Sequence, residues 1–269
     1  MRCIITTYQQ WSDELDLKSL ITDSNLRRRM SLFVKKGVAT GIQSIVKAEE
    51  RGVIVDSVIT ATGLGCLEDT EKFLRNYISS EEQQLNPTPF IQSTHNTIGG
   101  QIALIKRIHG YNLTFSHRRA SFITALMDAL LLLHEKESDG VLLGAVDEVT
   151  PTLDFLLKRL GWNRKYHEPR SVCAFFVLSA FESEEPYKQD SNGILKRQKD
   201  KLEDSRQMVL ELSSAANFSD IHYDTIHTDD YSFVAVADSL VEAIIRLEQG
   251  ASGVKIMDGE FNIYLRWHF

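Results

Sequence analysis

The chain has 269 residues, 43% of them hydrophobic and 25% charged, and a net charge of -7. That is ordinary globular composition, enough for one large domain or two small ones. The acidic balance argues against nucleic acid as the main partner, and no apolar run reaches the ~18 residues of a membrane span. The start, Met1-Arg-Cys-Ile-Ile-Thr-Thr7, lacks the apolar core and cleavage site of a secretory signal, so a cytoplasmic location is expected. Cys3, Cys66 and Cys173 are dispersed and odd in number, which fits reduced thiols rather than a disulfide framework or a zinc site.

Leu26, Met30, Phe33, Val34 and Val38 recur at helical spacing. They predict a helix from Asp23 to Arg51, capped by Ser24, with a basic cluster at Arg27, Arg28 and Arg29. The β-branched run Val53 to Ala61 reads as a buried strand. Thr62-Gly-Leu-Gly65 is a turn, and Cys66 to Tyr77 a second helix. Asn86-Pro-Thr-Pro-Phe90 is expected to be extended, because proline disfavours helix in the residue before it. Ser93 is positioned to cap a helix from Thr94 to about His109. Gly99 and Gly100 inside it imply a close neighbour, since each costs ~1 kcal/mol against alanine.

Residues Asn112 to Leu131 carry the most information. They read as a short apolar strand, an abrupt polar turn and a long amphipathic helix. Such an elbow lifts a side chain toward a pocket above the free N–H groups of the helix, which is where acyl-transfer enzymes place a nucleophile. Here the turn holds His117, Arg118 and Arg119, and no cysteine.

Beyond it, Asp139 to Val146 is a buried strand ending at Asp147-Glu148, Thr152 to Leu160 a short helix, and Ser171 to Ala180 an apolar strand. Residues 182–206 are charged and read as an exposed excursion. Met208 to Leu212 is a strand, and a helix starts at Asp230 or Ser232 and runs to about Gln249. Gly253 to Met257 and Asn262 to His268 are two strands joined at Asp258-Gly259. They lie too close for a crossover, so they should pair antiparallel. The alternation predicts a layered α/β protein with a mostly parallel sheet.

Arg27-Arg-Arg-Met30, Thr62-Gly-Leu-Gly-Cys-Leu-Glu-Asp-Thr-Glu71 and Asn86-Pro-Thr-Pro-Phe-Ile-Gln-Ser-Thr-His-Asn-Thr-Ile-Gly-Gly-Gln-Ile-Ala103 resemble the β-ketoacyl synthase-like family. They look most like the short, chain-length-factor-like subunits of aryl polyene and flexirubin-type pathways. The likeness covers Met1 to Ala180 well and continues loosely through Tyr231 to Leu247 and the terminal hairpin. It implies a thiolase-like fold of α-β-α-β-α layers with mixed sheets, from which this chain is expected to depart by an abbreviated second half. The organisation expected is 1–181 as a synthase-like half with a degenerate elbow, 182–206 as the excursion, and 207–269 as a shortened second half of the same unit.

The resemblance also implies a synthase-type dimer, either with a ketosynthase or with a second copy, and acyl carrier protein as the indirect source of substrate. The strand Asn112, Leu113, Thr114, Phe115 would pair across the two-fold, with Thr94, His95 and Asn96 near that interface. The degenerate elbow comprises Ser116, His117, Arg118, Arg119, Ala120 and Ser121. Matching Ser116 to the family's serine puts Arg119 where an active synthase has cysteine; neighbouring registers give Arg118 or Ala120. The paired histidines of an active synthase also lack their surroundings, since His222 and His227 match neither expected motif. No catalytic residue, cofactor or metal is expected.

Several residues keep two readings. Arg118 and Arg119 either pair with acids, Asp147 or Glu148 among them, or anchor an anionic ligand. Ser116 or Ser121 is a nucleophile or, for Ser116, a helix cap. His95 holds the proline-rich segment or reaches across the dimer. Asp147-Glu148 is a paired-carboxylate site, a helix cap or a partner of the arginines, and Cys66 is reactive or buried. The expected function is a non-catalytic partner that shapes an acyl tunnel. The alternative is a decarboxylase, hydrolase or acyltransferase on carrier-bound acyl groups.

Overall fold

The computed structural model describes residues 1–83, 86–161, 170–181, 187–189, 195–197, 207–213, 223–227, 235–258 and 261–268. The expected starts of the last helix at Asp230 or Ser232, His222, and Gly259 of the final turn lie outside them, as does most of 182–206.

In chain order the elements are β1 (Arg2–Gln10), α1 (Leu17–Leu20), α2 (Ser24–Arg29), α3 (Leu32–Glu50), β2 (Ser57–Ala61), α4 (Leu67–Ser79), α5 (Pro87–Gln92), α6 (Thr97–Lys106) and β3 (Asn112–Phe115). Then follow α7 (Ser121–His134), β4 (Gly140–Asp147), α8 (Pro151–Arg159) and β5 (Val172–Ala180). A small antiparallel pair, β6 (Tyr187–Gln189) and β7 (Leu195–Arg197), lies within the charged excursion. The last elements are β8 (Gln207–Ser213), β9 (Asp224–His227), α9 (Ala235–Glu248), β10 (Gly253–Asp258) and β11 (Phe261–His268).

One nine-stranded sheet runs β3-β2-β4-β5-β1-β8-β11-β10-β9. Only β2–β3, β2–β4 and β9–β10 are parallel; the other five pairs are antiparallel. The sheet is therefore mixed rather than mostly parallel, because helix-bearing crossovers serve only those three pairs. The terminal pair is antiparallel as expected, with Ile256 opposite Ile263.

Outward from the β1–β8 junction, each half places its first strand, its last, its penultimate and its second. The first half adds β3 at the edge; among the described residues the second half has no counterpart. The two halves thus repeat one strand order about that junction.

Strand alternation splits the core. In β5, Val172, Ala174, Phe176 and Leu178 face a cluster built on α7 and α9. Phe175 and Val177 face the opposite cluster, built on α3 and α6. Gly144 of β4 is in register with Phe175, and a Cβ there would stand 2.3 Å from the Phe175 ring.

Three local expectations are corrected. The helix foreseen from Asp23 to Arg51 is two helices, interrupted where Met30 and Ser31 are extended. Ser31 caps the second by accepting the Val34 N–H, and Asp23, not Ser24, caps the first. Asn86–Phe90 is not extended but opens α5. Asn86 accepts the Thr88 N–H, and proline in a first turn lacks only an N–H that has no helical partner anyway. Ser93 then ends α5 instead of starting α6, which begins at Thr97.

Gly144→Ala should destabilise the protein by about 1–3 kcal/mol through overpacking against the Phe175 ring. Urea denaturation reads this directly, and an unchanged midpoint would refute the packing argument.

Candidate functional site

The elbow follows β3. Phe115 still pairs with the sheet, its carbonyl accepting the Thr62 N–H at 3.0 Å. Ser116 and His117 leave the strand, Arg118–Ala120 form a single 3-10 turn, and α7 begins at Ser121. Arg118 has φ +51°, in the left-handed region that disfavours any residue with a Cβ.

Ser121 holds this turn. It is fully buried. Its Oγ accepts the His117 N–H at 2.8 Å and donates toward two carbonyls, Thr62 at 2.8 Å and Arg118 at 2.6 Å. The hydroxyl is thus committed to the backbone, and the cap expected of Ser116 is not formed, because α7 opens at Ala120 without a side-chain cap bond. Ser116, His117 and Arg118 are exposed, while Arg119 is half-buried.

The network continues through the Thr62–Gly65 turn. Thr62 Oγ1 donates to Asp147 Oδ1 at 2.8 Å and accepts the Gly65 N–H at 2.8 Å. Asp147 also accepts the N–H groups of Gly63 at 2.7 Å and Leu64 at 2.9 Å. Glu148 Oε2 accepts the Glu68 N–H at 2.9 Å, capping α4, whose Cys66 offers no side-chain cap. Of the readings for these carboxylates, the cap holds for Glu148. Asp147 is engaged on the Thr62–Gly65 turn and Glu148 on the first turn of α4.

Burial, opposed by the Glu68 N–H and by Lys72 and reinforced by the Glu68 and Asp69 charges, keeps the Glu148 carboxyl above its ordinary value. Burial likewise raises Cys3 and Cys173 to about 12. Cys66 is raised by burial and then by Glu148, Asp69 and Asp147. Burial thus disfavours the thiolate at all three, and Cys66, 3% exposed, fits the buried reading.

The residues expected at an interface gather along β3 and the start of α6. Thr114 Oγ1 donates to Asn96 Oδ1 at 2.9 Å and meets Thr60 Oγ1 at 2.6 Å. Gly99 fits beneath, since a Cβ would lie 3.1 Å from Thr60 Oγ1. Asn112 Nδ2 donates to the Gly99 carbonyl at 3.3 Å. Thr94 bonds locally to Ile91 and Thr97. The His95 ring packs on Gly65, which has φ +73°. Leu113 is 39% exposed on the edge strand.

Sequence reasoning missed Thr62 as the joint between elbow and carboxylate. A lone Thr-Gly-Leu-Gly turn carried too weak a signal. Among the described residues no group of three His, Cys, Asp or Glu side chains could hold a metal ion, and no helix is long and apolar enough to cross a membrane.

The family model described as "Beta-ketoacyl synthase, N-terminal domain" matches residues 8–209. The chain belongs to that family. No curated protein matches it. Solved structures extend the likeness of fold within the ketosynthases. The ketosynthase ApeO with its chain length factor ApeC from Xenorhabdus doucetiae gives a TM-score of 0.62 at 14% identity, covering 99% of both chains. The ishigamide ketosynthase/chain length factor gives 0.67 at 12%, with the same coverage. The type II polyketide complex AntDE:AntF, a ketosynthase with its acyl-carrier protein, gives 0.70 at 13%, again covering 99% of each.

Two outcomes are expected. Ser121→Ala should cost about 1–3 kcal/mol, because it strands the His117 N–H and the Thr62 carbonyl. Hydrogen exchange should then speed selectively at His117, and protection equal to the parent would refute the proposed hold on the turn.

Glu148 gives a pH dependence. A carboxyl with a raised folded pKa contributes its full stability below the unfolded value and loses it as pH rises through the folded value. The amide oxygen introduced by Glu148→Gln would still accept the Glu68 N–H. The melting temperature of Glu148→Gln minus that of the parent should therefore climb from pH 4 to pH 8. A flat or falling difference contradicts the assignment.

Proposed function

We propose that this chain is a non-catalytic, chain-length-factor-type subunit that pairs with a β-ketoacyl-carrier-protein synthase and shapes the tunnel receiving the growing acyl chain. The pathway class is fatty acid, polyketide or aryl polyene biosynthesis, with acyl carrier protein serving the partner. One observation carries the reading: the elbow is intact while no thiol stands on it. Ser121 is spent on backbone carbonyls, and Cys3, Cys66 and Cys173 are buried or half-buried with raised pKa values. A serine nucleophile gives up its proton to a base within reach, and the Ser121 hydroxyl instead directs its proton to backbone carbonyls.

The free edge of β3 supplies the partner surface in this reading. Asn112, Leu113, Thr114 and Phe115 pair across the two-fold, supported by Thr94, His95 and Asn96. The elbow residues Ser116 to Ala120 form wall rather than machinery. Residues 1–181 and 207–269 act as one compact unit, with 182–206 an excursion from it. The solved neighbours include complexes of a ketosynthase with a chain length factor, which supports a hetero-pair over two copies. The resulting complex would be the 3-oxoacyl synthase, with the thiol supplied by the other subunit.

Co-expression with a cysteine-bearing ketosynthase from the same pathway should give one heterodimer on size exclusion. Leu113→Asp should split it into separate peaks. The isolated chain should release neither CO2 nor free acid from malonyl- or acetyl-carrier protein. Two homomeric species with unchanged product length when this chain is omitted would overturn the proposal, and turnover by the chain alone would favour the enzymatic alternative.

A further inference from the structure

A cavity of about 350 Å3 lies apart from the elbow, where β1 leaves the sheet and the first turns of α3, α4 and α9 converge. Its apolar wall includes Trp11, Leu32 and Phe33. Charged side chains also line it, and they are not equally satisfied. Arg170 and Asp238 answer each other at 2.9 Å. Lys36 has no such partner among the described residues. Its Nζ lies 4.9 Å from the Trp11 ring centroid, and among the described residues no carboxylate pairs with it. Glu148 is 9% exposed. Its Oε2 takes the Glu68 N–H, and among the described residues no donor reaches Oε1. The nearest charges on α4, Glu68 and Asp69, repel it more than Lys72 helps.

Among the described residues, one cavity thus presents an ammonium with no carboxylate paired to it and a carboxylate with no ion pair of its own, Lys72 being paired to Glu68, beside an aromatic wall. Withdrawing the Glu148 carboxylate from water without a counter-charge is costly, and Lys36 stands half-buried on the same wall. An anionic ligand would satisfy Lys36 and aggravate Glu148; a cationic one would do the reverse. A ligand carrying both charges meets both needs. The volume is at the small end for ligand sites.

We infer that this cavity binds a small zwitterion of the amino-acid class, its carboxylate at Lys36, its ammonium at Glu148 and its apolar body against Trp11 and Phe33. The site uses none of the elbow or β3 residues and stands independently of the subunit role proposed above.

Calorimetric titration of the full chain at pH 7 tests it with L-phenylalanine, L-leucine, 3-phenylpropanoate and 2-phenylethylammonium. At least one of the two amino acids should bind saturably, and each singly charged analogue at least about tenfold more weakly. Lys36→Met and Glu148→Gln should each weaken amino-acid binding by about tenfold or more. Glu148→Gln should bring 3-phenylpropanoate level with L-phenylalanine. Thermal melts of both variants check that the fold is kept; the amide in Glu148→Gln retains the acceptor for α4. The inference fails if neither amino acid gives a saturable signal at millimolar concentration, if the analogues bind as well as the amino acids, or if both folded variants bind like the parent.

Discussion

A single run of hydrogen bonds ties together the C-terminal ends of three adjacent parallel strands: Ser121 to the Thr62 carbonyl, the Thr62 hydroxyl to Asp147, and Asp147 to the N–H groups of Gly63 and Leu64. Strands β3, β2 and β4 register side by side, but their ladders end at Phe115, Ala61 and Asp147. Beyond those residues the chain must turn, and a buried turn leaves polar backbone groups that need partners. Here one serine, one threonine and one aspartate supply them. Because the links are in series and buried, removing one leaves a polar group without water or partner, which costs more than the bond itself contributes.

The strained backbone at Arg118 persists because of this arrangement. A left-handed arginine costs roughly 1–2 kcal/mol locally, and it is tolerated where the surroundings over-determine the conformation. Ser121 fixes both flanks of the turn, the His117 N–H on one side and the Arg118 carbonyl on the other. The α7 core stripe, with Phe122, Leu126 and Leu130 each at most 1% exposed, then fixes the helix against the sheet. The elbow is positioned by packing behind it and by hydrogen bonds beneath it.

Strands whose both faces are buried were legible because they read as continuous apolar runs: all five residues of β2 and all eight of β4 are buried. β1 was not foreseen. Its buried positions, Cys3, Ile5 and Thr7, alternate with Arg2, Ile4 and Thr6, so a weak hydrophobe and a threonine blurred the period-2 signal. β9 is four residues long and contributes only Ile226 to the core, too little to register. Proline misled at α5 because its penalty depends on position within the helix, which composition does not reveal. The elbow's outline was legible from Asn112 to Leu131. Its supports were not, since Thr62 and Asp147 are 59 and 26 residues away from Ser121 in sequence, and only the fold brings them together.

None of the groups that hold the elbow is a thiol or an imidazole. Main-chain carbonyls, two hydroxyls and one carboxylate do the holding, so the scaffold's integrity is separable from any reactive group mounted on it. A chain of this construction can lose its nucleophile without losing the turn that would present it. Keeping arginines at the apex is another matter. A glycine at 118 would relieve the left-handed strain, and an acidic or neutral residue would suit the positive end of α7 better than cations by ~0.3–1 kcal/mol. The local fold therefore gains nothing from Arg118. In the proposed subunit the gain arises outside the chain, where a bulky cation at the elbow closes the space a substrate would need on this side and leaves acyl chemistry to the partner.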